Sequence, residues 1–239
     1  MRNYIKNIAI HCKGDYDSIN KMFEKRMLVP EYKSNYPYVV IGDDLYPKRL
    51  YDLEKPPYVL FYTGNIDLLK LESISLVGSR KPSIYAYEQT ARYVDKLKKE
   101  YVIVSGLAKG IDTVAHTTAL DFSTIAVLGC GIDVVYPLQN KALFEKMRQN
   151  HLILSEYPET VKPQKHFFPF RNRIIAALSD SIYVMSATLR SGTMTTVNAA
   201  LSINRHVLCL PHRVDDPSGK GCNRLILEGA DILTSVHDI

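Results

Sequence analysis

Cationic and aromatic side chains alternate between Lys162 and Ser179, in the segment KPQKHFFPFRNRIIAALS. Three cations and three rings lie close together there, with no acid among them: Lys165, Arg171, Arg173, Phe167, Phe168 and Phe170. Cations bind a phosphate backbone and flat rings stack on bases, so this combination is typical of a surface for single-stranded nucleic acid. The same residue types also occur where phenylalanines form a core and basic side chains extend over its edge.

The positive charge of the chain is concentrated around this segment. All 239 residues together carry a net charge of +5. Between Thr160 and Val214 there are seven bases and one acid, a net charge of +6, which leaves −1 for the rest of the chain. This concentration predicts binding of a polyanion, unless the bases face different directions in the folded protein.

The composition argues against several other classes of protein. No apolar run reaches the ~18 residues of a membrane span, and the N-terminus has no small-residue cleavage site, so we expect a cytoplasmic protein without a membrane segment. The four cysteines form no CxxC pair and have no histidine at metal-ligand spacing, so no metal site is predicted.

Short apolar runs rich in β-branched residues recur after residue 73. They lie at Ile74–Val77, Val102–Val104, Thr124–Leu128, Leu152–Leu154, Ile182–Met185 and His206–Leu210. Such runs are typical of strands buried on both faces of a parallel sheet. Helix-length segments separate them, at Tyr85–Lys99, Asp112–Leu120, Leu138–Asn150, Asn172–Ser179 and Thr193–Asn204. The alternation predicts an α/β fold with a doubly wound, mostly parallel sheet.

The earlier part of the chain is less regular. Tyr58–Tyr62 is predicted to form one further strand, whereas residues 1–45 show weak periodicity and are predicted to form a helical or irregular appendage. We therefore predict two parts of the chain, an N-terminal appendage at residues 1–45 and the main domain at residues 46–239.

Ligands of open α/β sheets bind outside the carboxyl ends of the strands. The turns that follow the predicted strands should therefore share one edge: Gly78-Ser79-Arg80, Ser105-Gly106-Leu107, Gly129-Cys130-Gly131, Ser155-Glu156-Tyr157 and Leu189–Thr193. In the first turn, glycine admits a ligand to the backbone, and Ser79 and Arg80 supply phosphate-binding groups, although a tight turn with a solvated arginine has the same sequence. Ser191 and Gly192 open a helix, where amide and hydroxyl groups predict an anion site or an N-cap.

No catalytic constellation emerges from the remaining polar residues. Asp112 and His116 stand four residues apart and could form an acid–base pair or half of a metal site, but a structural histidine hydrogen-bonded by Asp112 is favoured. The chain lacks the phosphate-binding GxxxxGK[ST] motif, the dinucleotide-binding GxGxxG motif and the nucleophile motif GxSxG. We therefore predict no catalytic residue and no cofactor.

Seven short motifs occur in order along the chain: SLVGSR (75–80), SGLAKGIDTVAH (105–116), AVLGCGIDVVYPLQN (126–140), LSEYP (154–158), FFPFRNRIIAALS (167–179), RSGTMTT (190–196) and GKGCNRLILEGA (219–230). Together they resemble the DNA-processing protein A family (DprA, also called Smf), and the resemblance runs from about Tyr46 to Leu233.

The resemblance implies an extended Rossmann-like domain that binds single-stranded DNA without catalysis. It implies that the protein protects incoming strands and helps to load the RecA recombinase during natural transformation. It also implies a homodimer formed through the C-terminal side of the domain, around Leu201–Leu210 and the end of the chain.

Residue by residue, the motifs place the DNA contacts in three segments of this chain. Phosphate would be held by Gly78, Ser79 and Arg80 and by the loop with Gly106 and Lys109, and the strand would be contacted by Lys165, Phe168, Arg171, Asn172 and Arg173. Phe168 is predicted to stack on a base, and the three cations of that last group to bind phosphate. Phe170, Ile174 and Ile175 are predicted to pack inward.

Two other functions stay open at this point. One is a nucleotide-binding enzyme resembling the phosphoribohydrolases of a related Rossmann-like fold, whose PGGxGTxxE loop supplies a catalytic glutamate. The corresponding stretch here, RSGTMTTVNAA, contains no glutamate. The other is an adaptor that binds only proteins.

Overall fold

The computed structural model describes residues 1–236. All six predicted apolar runs form parallel strands, with ends within one or two residues of the prediction. They are β3 (Ser73–Gly78), β4 (Val102–Ser105), β5 (Thr124–Leu128), β6 (Leu152–Ser155), β7 (Ser181–Ser186) and β8 (His206–Cys209). A short parallel strand, β9 (Asp231–Ile232), follows β8 at the edge. Short continuous apolar runs thus correctly predicted strands that are covered by helices on both faces of the sheet.

Two antiparallel strands extend the other side of the sheet. The predicted strand at 58–62 is β2 (Val59–Gly64), which pairs with β6, and β1 (Tyr38–Val40) pairs with β2. The resulting nine-stranded sheet has the order β1-β2-β6-β5-β4-β3-β7-β8-β9. The predicted class, an extended Rossmann-like α/β fold with a mostly parallel sheet, is confirmed.

Eight α-helices are described within residues 1–236. They are α1 (Arg2–His11), α2 (Tyr16–Glu24), α3 (Ile84–Leu97), α4 (Ile111–Thr118), α5 (Lys141–Asn150), α6 (Phe167–Leu178), α7 (Gly192–Ser202) and α8 (Lys220–Leu227). Side chains of α6, α7 and α8 pack on one face of the sheet, and those of α1, α3, α4 and α5 on the other. Neighbouring residues of β4 show why, since Val104 faces the first layer and Ile103 the second.

The first 45 residues contain α1, α2 and the edge strand β1. Ile5, Ile8 and Ile19 of the two helices are buried in one cluster with Phe61 of β2. β1 therefore joins this segment to the sheet by backbone pairing as well as by side-chain packing, while the division of the chain at residue 45 stays a prediction.

α6 begins at Phe167, five residues before the predicted start at Asn172. Pro169 lies in its first turn, where a residue without an amide hydrogen costs no intrahelical bond. The early start places Phe167, Phe168 and Arg171 on a helix instead of a loop. Phe167 and Arg171 are four residues apart and therefore share a face of the helix. This is the buried face, which meets the sheet.

The strand order reverses between β3 and β7. From β3 the chain passes outward through β4, β5 and β6 on one side, and then returns to place β7, β8 and β9 on the other. Ligands of open α/β sheets bind in the crevice outside the carboxyl ends at such a reversal. The fold therefore predicts a ligand site at the turns after β3 and β7, near the helix α6.

Residues 1–236 contain neither a membrane-spanning helix nor a cluster of metal-ligating side chains. No described helix combines the length and the apolar character that crossing a bilayer requires. The described part of the chain also holds no cluster of three or more histidine, cysteine or acidic side chains with the arrangement of a metal site.

Candidate nucleic-acid interface

A cleft of about 560 Å³ opens at the reversal of strand order. Its walls are the turn after β3, the first half of α6 and the start of α7. The residues predicted from sequence that line it are Gly78, Ser79, Arg80, Lys165, Phe168, Arg171, Asn172, Ser191 and Gly192. A recess of about 50 Å³ adjoins the cleft, and Gly106 and Lys109 line it. The fold thus brings together residues that are far apart in sequence.

Arg173 lines neither the cleft nor the recess. Its Nη1 and Nη2 donate to the two carboxylate oxygens of Glu156, each at 2.6 Å, and its Nε donates to the carbonyl oxygen of Lys55 at 2.9 Å. The guanidinium carbon also lies 3.7 Å from the centroid of the Phe170 ring. Protein groups therefore occupy the donors and one face of this guanidinium.

Arg171 lines the cleft but is only 3% exposed. Its Nη1 donates to the carbonyl oxygen of Gly106 at 2.8 Å and to that of Val127, at the carboxyl ends of β4 and β5. Asp112 lies beside it, and its Oδ2 accepts from the amides of Gly106 and Ala108, both at 3.2 Å. Burial raises the pKa of the Asp112 carboxyl, and the neighbouring guanidinium opposes that rise. Arg171 thus fastens the ends of two strands beneath the cleft.

Two of the predicted glycines leave room for protein side chains. A Cβ added to Gly106 would lie 2.6 Å from Nη2 of Arg171, and one added to Gly78 would lie 2.5 Å from Cγ1 of Ile111. Contacts this short are not tolerated without displacement of the neighbour. Packing inside the protein is therefore a sufficient reason for glycine at both positions.

Asn172 connects α6 to the start of α7. Its Nδ2 donates to the carbonyl oxygen of Gly192 at 3.1 Å and to Oγ1 of Thr195 at 3.0 Å. Ser191 occupies the N-cap position of α7, but its Oγ is buried and has no hydrogen-bond partner within residues 1–236. The N-terminus of α7 consequently holds a buried hydroxyl without a partner, in a residue that lines the cleft and at a position where anions are favoured.

Two aromatic rings stand together at the mouth of the cleft. The half-buried ring of Phe168 lies 5.3 Å from that of Tyr136, measured between centroids, and 5.4 Å from the guanidinium carbon of Arg80. A Cβ on Gly129 would lie 2.8 Å from Cδ1 of Phe168, so the absence of a side chain there seats the ring against the end of β5. Tyr136 is exposed and lines both cavities.

Sequence reasoning did not assign Tyr136 to the site. The residue belongs to the motif AVLGCGIDVVYPLQN, which follows β5, and its position in a turn at the carboxyl edge was the available signal. Its exposure on a loop together with its contact to Phe168 marks it as a surface ring instead of a core ring.

Three cations at the cleft and its recess form no ion pair within residues 1–236. Arg80, Lys109 and Lys165 are exposed and form no ion pair within the described part of the chain. Other bases of the segment 160–214 bind acids elsewhere: Arg173 pairs with Glu156, Arg205 with Asp52 and Arg213 with Asp215. The net charge counted along the sequence therefore overstates the number of cations in this segment that are free of an ion pair.

The expected hydrogen bond between Asp112 and His116 is wrong. Nε2 of His116 accepts from the amide of Leu107 at 3.3 Å, and Nδ1 lies 2.7 Å from Oγ1 of Thr124, whose hydroxyl donates to the carbonyl oxygen of Ile103. Burial lowers the pKa of His116 to about 3. The neutral ring, with its proton on Nδ1, therefore supports the loop after β4.

Three acids at this edge of the sheet, Asp112, Asp133 and Glu156, are engaged by protein groups. Asp112 binds backbone amides, Glu156 binds Arg173, and Oδ1 of Asp133 accepts from the amide of Thr160 at 2.7 Å. Their hydrogen-bonding groups hold loops and helices in place. The cleft therefore presents cations, hydroxyls and rings.

The sequence as a whole is similar to one family of proteins. The family model described as DNA recombination-mediator protein A matches residues 37–239. The DNA processing protein DprA of Streptococcus pneumoniae is 44% identical over 206 residues, which is 85% of this chain and 73% of the relative. That of Bacillus subtilis is 37% identical over 245 residues, covering all of this chain and 80% of the relative.

Some relatives are considerably longer than the matched region. Protein Smf of Synechocystis is 40% identical over 217 residues, which is 87% of this chain but 54% of the relative. The chain thus spans between about half and four fifths of the length of these three curated relatives.

Two solved structures share both the fold and substantial sequence identity. The X-ray structure of DNA processing protein A from S. pneumoniae superposes with a TM-score of 0.83 at 42% identity, covering 94% of this chain and 76% of that one. The structure of DNA processing protein A from Helicobacter pylori has a TM-score of 0.79 at 33% identity, covering 87% and 95%. The latter was described for its single-stranded DNA binding mode.

Proposed function

Because this chain belongs to the DNA recombination-mediator protein A family, we propose that it binds single-stranded DNA in the cleft at the reversal of strand order. The observation that carries the proposal is the convergence of Arg80, Lys165, Phe168 and Tyr136 on this one cleft. A groove that combines unpaired cations with accessible rings is the arrangement that binds single strands with little sequence preference.

The phosphate contacts are assigned to three cations at the cleft and its recess that form no ion pair. Arg80, Lys109 and Lys165 are exposed, and no acid within residues 1–236 forms an ion pair with them. Gly78, Ser79, Ser191 and Gly192 line the same cleft and supply backbone and hydroxyl groups to phosphate oxygens. Binding of this kind releases counterions and is therefore strongly weakened by salt.

The base contact is assigned to the pair of Phe168 and Tyr136. The ring of Phe168 lies against Gly129 on one side and near Arg80 on another. A base stacks on the accessible part of this half-buried ring and on the exposed ring of Tyr136. Stacking of a base on an aromatic ring does not discriminate strongly among bases. The preference is therefore for unpaired strands, whose bases are accessible.

Arg171, Asn172, Arg173 and Gly106 are assigned a positioning role in this proposal. Arg171 holds the ends of β4 and β5 to α6, Asn172 holds α7, and Arg173 fixes α6 through Glu156. The backbone of Gly106 receives the Arg171 guanidinium. Each of these contacts holds Phe168 and Lys165 in position next to the turn after β3.

The wider role follows from family membership. We propose that the protein acts in the cytoplasm, protects incoming single strands and helps to load the RecA recombinase during natural transformation or recombination. We further propose a homodimer through the C-terminal side, where Leu201, Leu227 and Ile232 are exposed apolar residues on α7, α8 and β9. The last three residues of the predicted dimer region, 237–239, lie outside the described residues.

The proposed function is non-catalytic. A hydrolase of the phosphoribohydrolase type needs an acid at the α7 N-terminus, where this chain has Ser191 to Thr196 without one. Asp112, Asp133 and Glu156 at this edge are bound by protein groups. Incubation with nucleoside monophosphates, followed by chromatography, should release no base.

Fluorescence anisotropy with labelled oligo-dT and with a duplex of equal length, over a range of salt concentrations, tests the binding. We expect tighter binding to the single strand and a linear fall of log Kobs with log salt concentration. Arg80→Ala and Lys165→Ala should weaken binding and reduce the salt slope by about 0.7 each. Lys96→Ala, which removes an exposed cation from α3, is the matched control. Equal affinity for all variants would refute the assigned site.

A further inference from the structure

Three further exposed cations lie beyond the cleft, toward β8. Lys81 follows the turn after β3, Arg190 follows β7, and Lys220 begins α8 after the loop that follows β8. None of the three side chains forms an ion pair or a hydrogen bond within residues 1–236. Lys81, Arg190 and Lys220 together form the β8 surface. None of the three lines the cleft.

The loops that carry these cations form one continuous surface. The hydroxyl of Tyr85 donates to the carbonyl oxygen of Pro211 at 3.2 Å, which joins the start of α3 to the β8 loop. The amide of Gly221 donates to the carbonyl oxygen of Ala187 at 2.7 Å, which fixes the first turn of α8 against the end of β7. The three cations are therefore held on interlocked segments.

The acids of this region are already engaged. Asp215 pairs with Arg213 at 3.0 Å, and Asp216 accepts from Ser218 and lies 3.3 Å from Nδ1 of the buried His212 side chain. The exposed charge of this region that no ion pair compensates is therefore that of Lys81, Arg190 and Lys220. Exposed apolar side chains stand among them, namely Tyr85, Leu189 and Val214.

Two of the three cations of the β8 surface directly adjoin, in the chain, residues that line the cleft. Lys81 is the neighbour of Arg80, and Arg190 is the neighbour of Ser191, and both of those residues line the cleft. Neighbouring strands are about 4.8 Å apart, so the step from β7 to β8 carries the surface about 5 Å beyond the cleft. A polyanion that leaves the cleft on this side meets the three cations directly.

We propose that the DNA single strand continues from the cleft across the β8 surface, where Lys81, Arg190 and Lys220 bind its phosphates. This inference rests on the proposed function of the cleft. A row of cations that begins beside a phosphate site fits a continuous polyanion, and the exposed Tyr85 and Leu189 offer apolar contact to its bases. An acidic peptide would need no continuity with the cleft, so the single strand is the favoured occupant.

The test compares two triple variants by anisotropy, using oligo-dT of increasing length and several salt concentrations. Lys81→Ala/Arg190→Ala/Lys220→Ala removes the β8 surface, and Lys96→Ala/Lys99→Ala/Lys146→Ala removes three exposed cations from α3, the residues after it and α5. With long oligo-dT, the first variant should lose about 2 from the salt slope, since each phosphate contact contributes about 0.7. With the shortest oligo-dT that binds, it should match the control. Thermal melting checks that both variants are folded.

The outcomes separate the inference from the proposed function. If the wild-type protein binds oligo-dT and the two variants have equal salt slopes at every oligo-dT length, the inference alone is overturned. Polyglutamate serves as a probe for an acidic peptide. If the first variant loses binding to polyglutamate while its salt slope for oligo-dT is unchanged, the inference is likewise overturned. A wild-type protein that binds no oligo-dT would overturn the proposed function, and the inference with it.

Discussion

Arg173 and Glu156 form a bidentate ion pair in which both nitrogen–oxygen distances are 2.6 Å. The two side chains are 11% and 6% exposed, so the pair is almost completely removed from water. Glu156 directly follows β6 and Arg173 lies in the middle of α6. The pair therefore ties the helix that carries Phe168 to the carboxyl edge of the sheet.

Removal of one partner should be costly. Glu156→Ala leaves a buried guanidinium without its carboxylate, and breaking a buried pair in this way costs about 3–5 kcal/mol of unfolding free energy. Urea unfolding followed by circular dichroism measures the change. Asp67→Ala, in the exposed pair with Lys70, is the control and should cost less than about 1 kcal/mol. Equal losses for the two variants would contradict the structural role of the buried pair.

Gly106 should not accept a side chain. In Gly106→Ala the new Cβ would lie 2.6 Å from the Arg171 guanidinium, which has no free space because it is buried among carbonyl oxygens and Asp112. The unfolding free energy should fall by about 1–3 kcal/mol, as for overpacked cores. Gly192→Ala is the matched control, since nothing lies within 4 Å of its Cβ position. A thermal melt that places both variants at the wild-type temperature would refute the packing argument.

The sheet could be predicted from sequence because its signal is local. Each buried parallel strand is a short apolar run, and all six runs after residue 73 form strands at the expected places. The start of α6 was missed because Pro169 is compatible with a first helical turn as well as with a loop. Periodicity nevertheless carried a further signal. Phe167, Arg171, Ile174, Ile175 and Leu178 form the buried face of α6, and their spacing places Arg171 on that face.

The pairings of the site could not be predicted, because they depend on three-dimensional placement. Arg173 and Glu156 are 17 positions apart, and no sequence pattern links an acid after one strand to a base within the following helix. The same holds for Tyr136, which meets Phe168 only because the turn after β5 and the start of α6 lie at the same edge. Sequence therefore located the edge of the sheet, whereas the distinction between exposed cations and cations bound by protein groups required the structure.

The buried His116 should make the protein sensitive to acid. Its pKa is about 3 in the folded protein because of burial, whereas an unfolded histidine has a pKa of about 6.5. Between these values the unfolded state binds the proton more strongly, so the unfolding free energy falls as the pH decreases below about 6.5, by up to ~1.4 kcal/mol per pH unit. Urea unfolding from pH 7 to pH 5 measures the slope.

His116→Gln isolates this contribution. The variant should be less stable than wild type at pH 7, because the amide of Leu107 or the hydroxyl of Thr124 loses its partner, at about 1–3 kcal/mol. Its unfolding free energy should also vary less with pH between 7 and 5. His151, whose pKa is likewise lowered by burial, remains in both proteins and contributes equally to both slopes. Identical pH slopes for the two proteins would show that His116 is not the group responsible.

Tyr136 should contribute to binding of single strands although it carries no charge. Its exposed ring lies beside Phe168 at the cleft mouth, and loss of one base–ring stack costs about 1–3 kcal/mol. Tyr136→Ala should therefore weaken oligo-dT binding about tenfold while leaving the salt slope unchanged, because no phosphate contact is removed. Tyr136→Phe keeps the ring and should bind as wild type does. Phe122→Ala removes an exposed ring at the opposite edge of the sheet, before β5, and is the control in the same anisotropy titration. A tenfold loss for Phe122→Ala, or none for Tyr136→Ala, would place the base contact elsewhere.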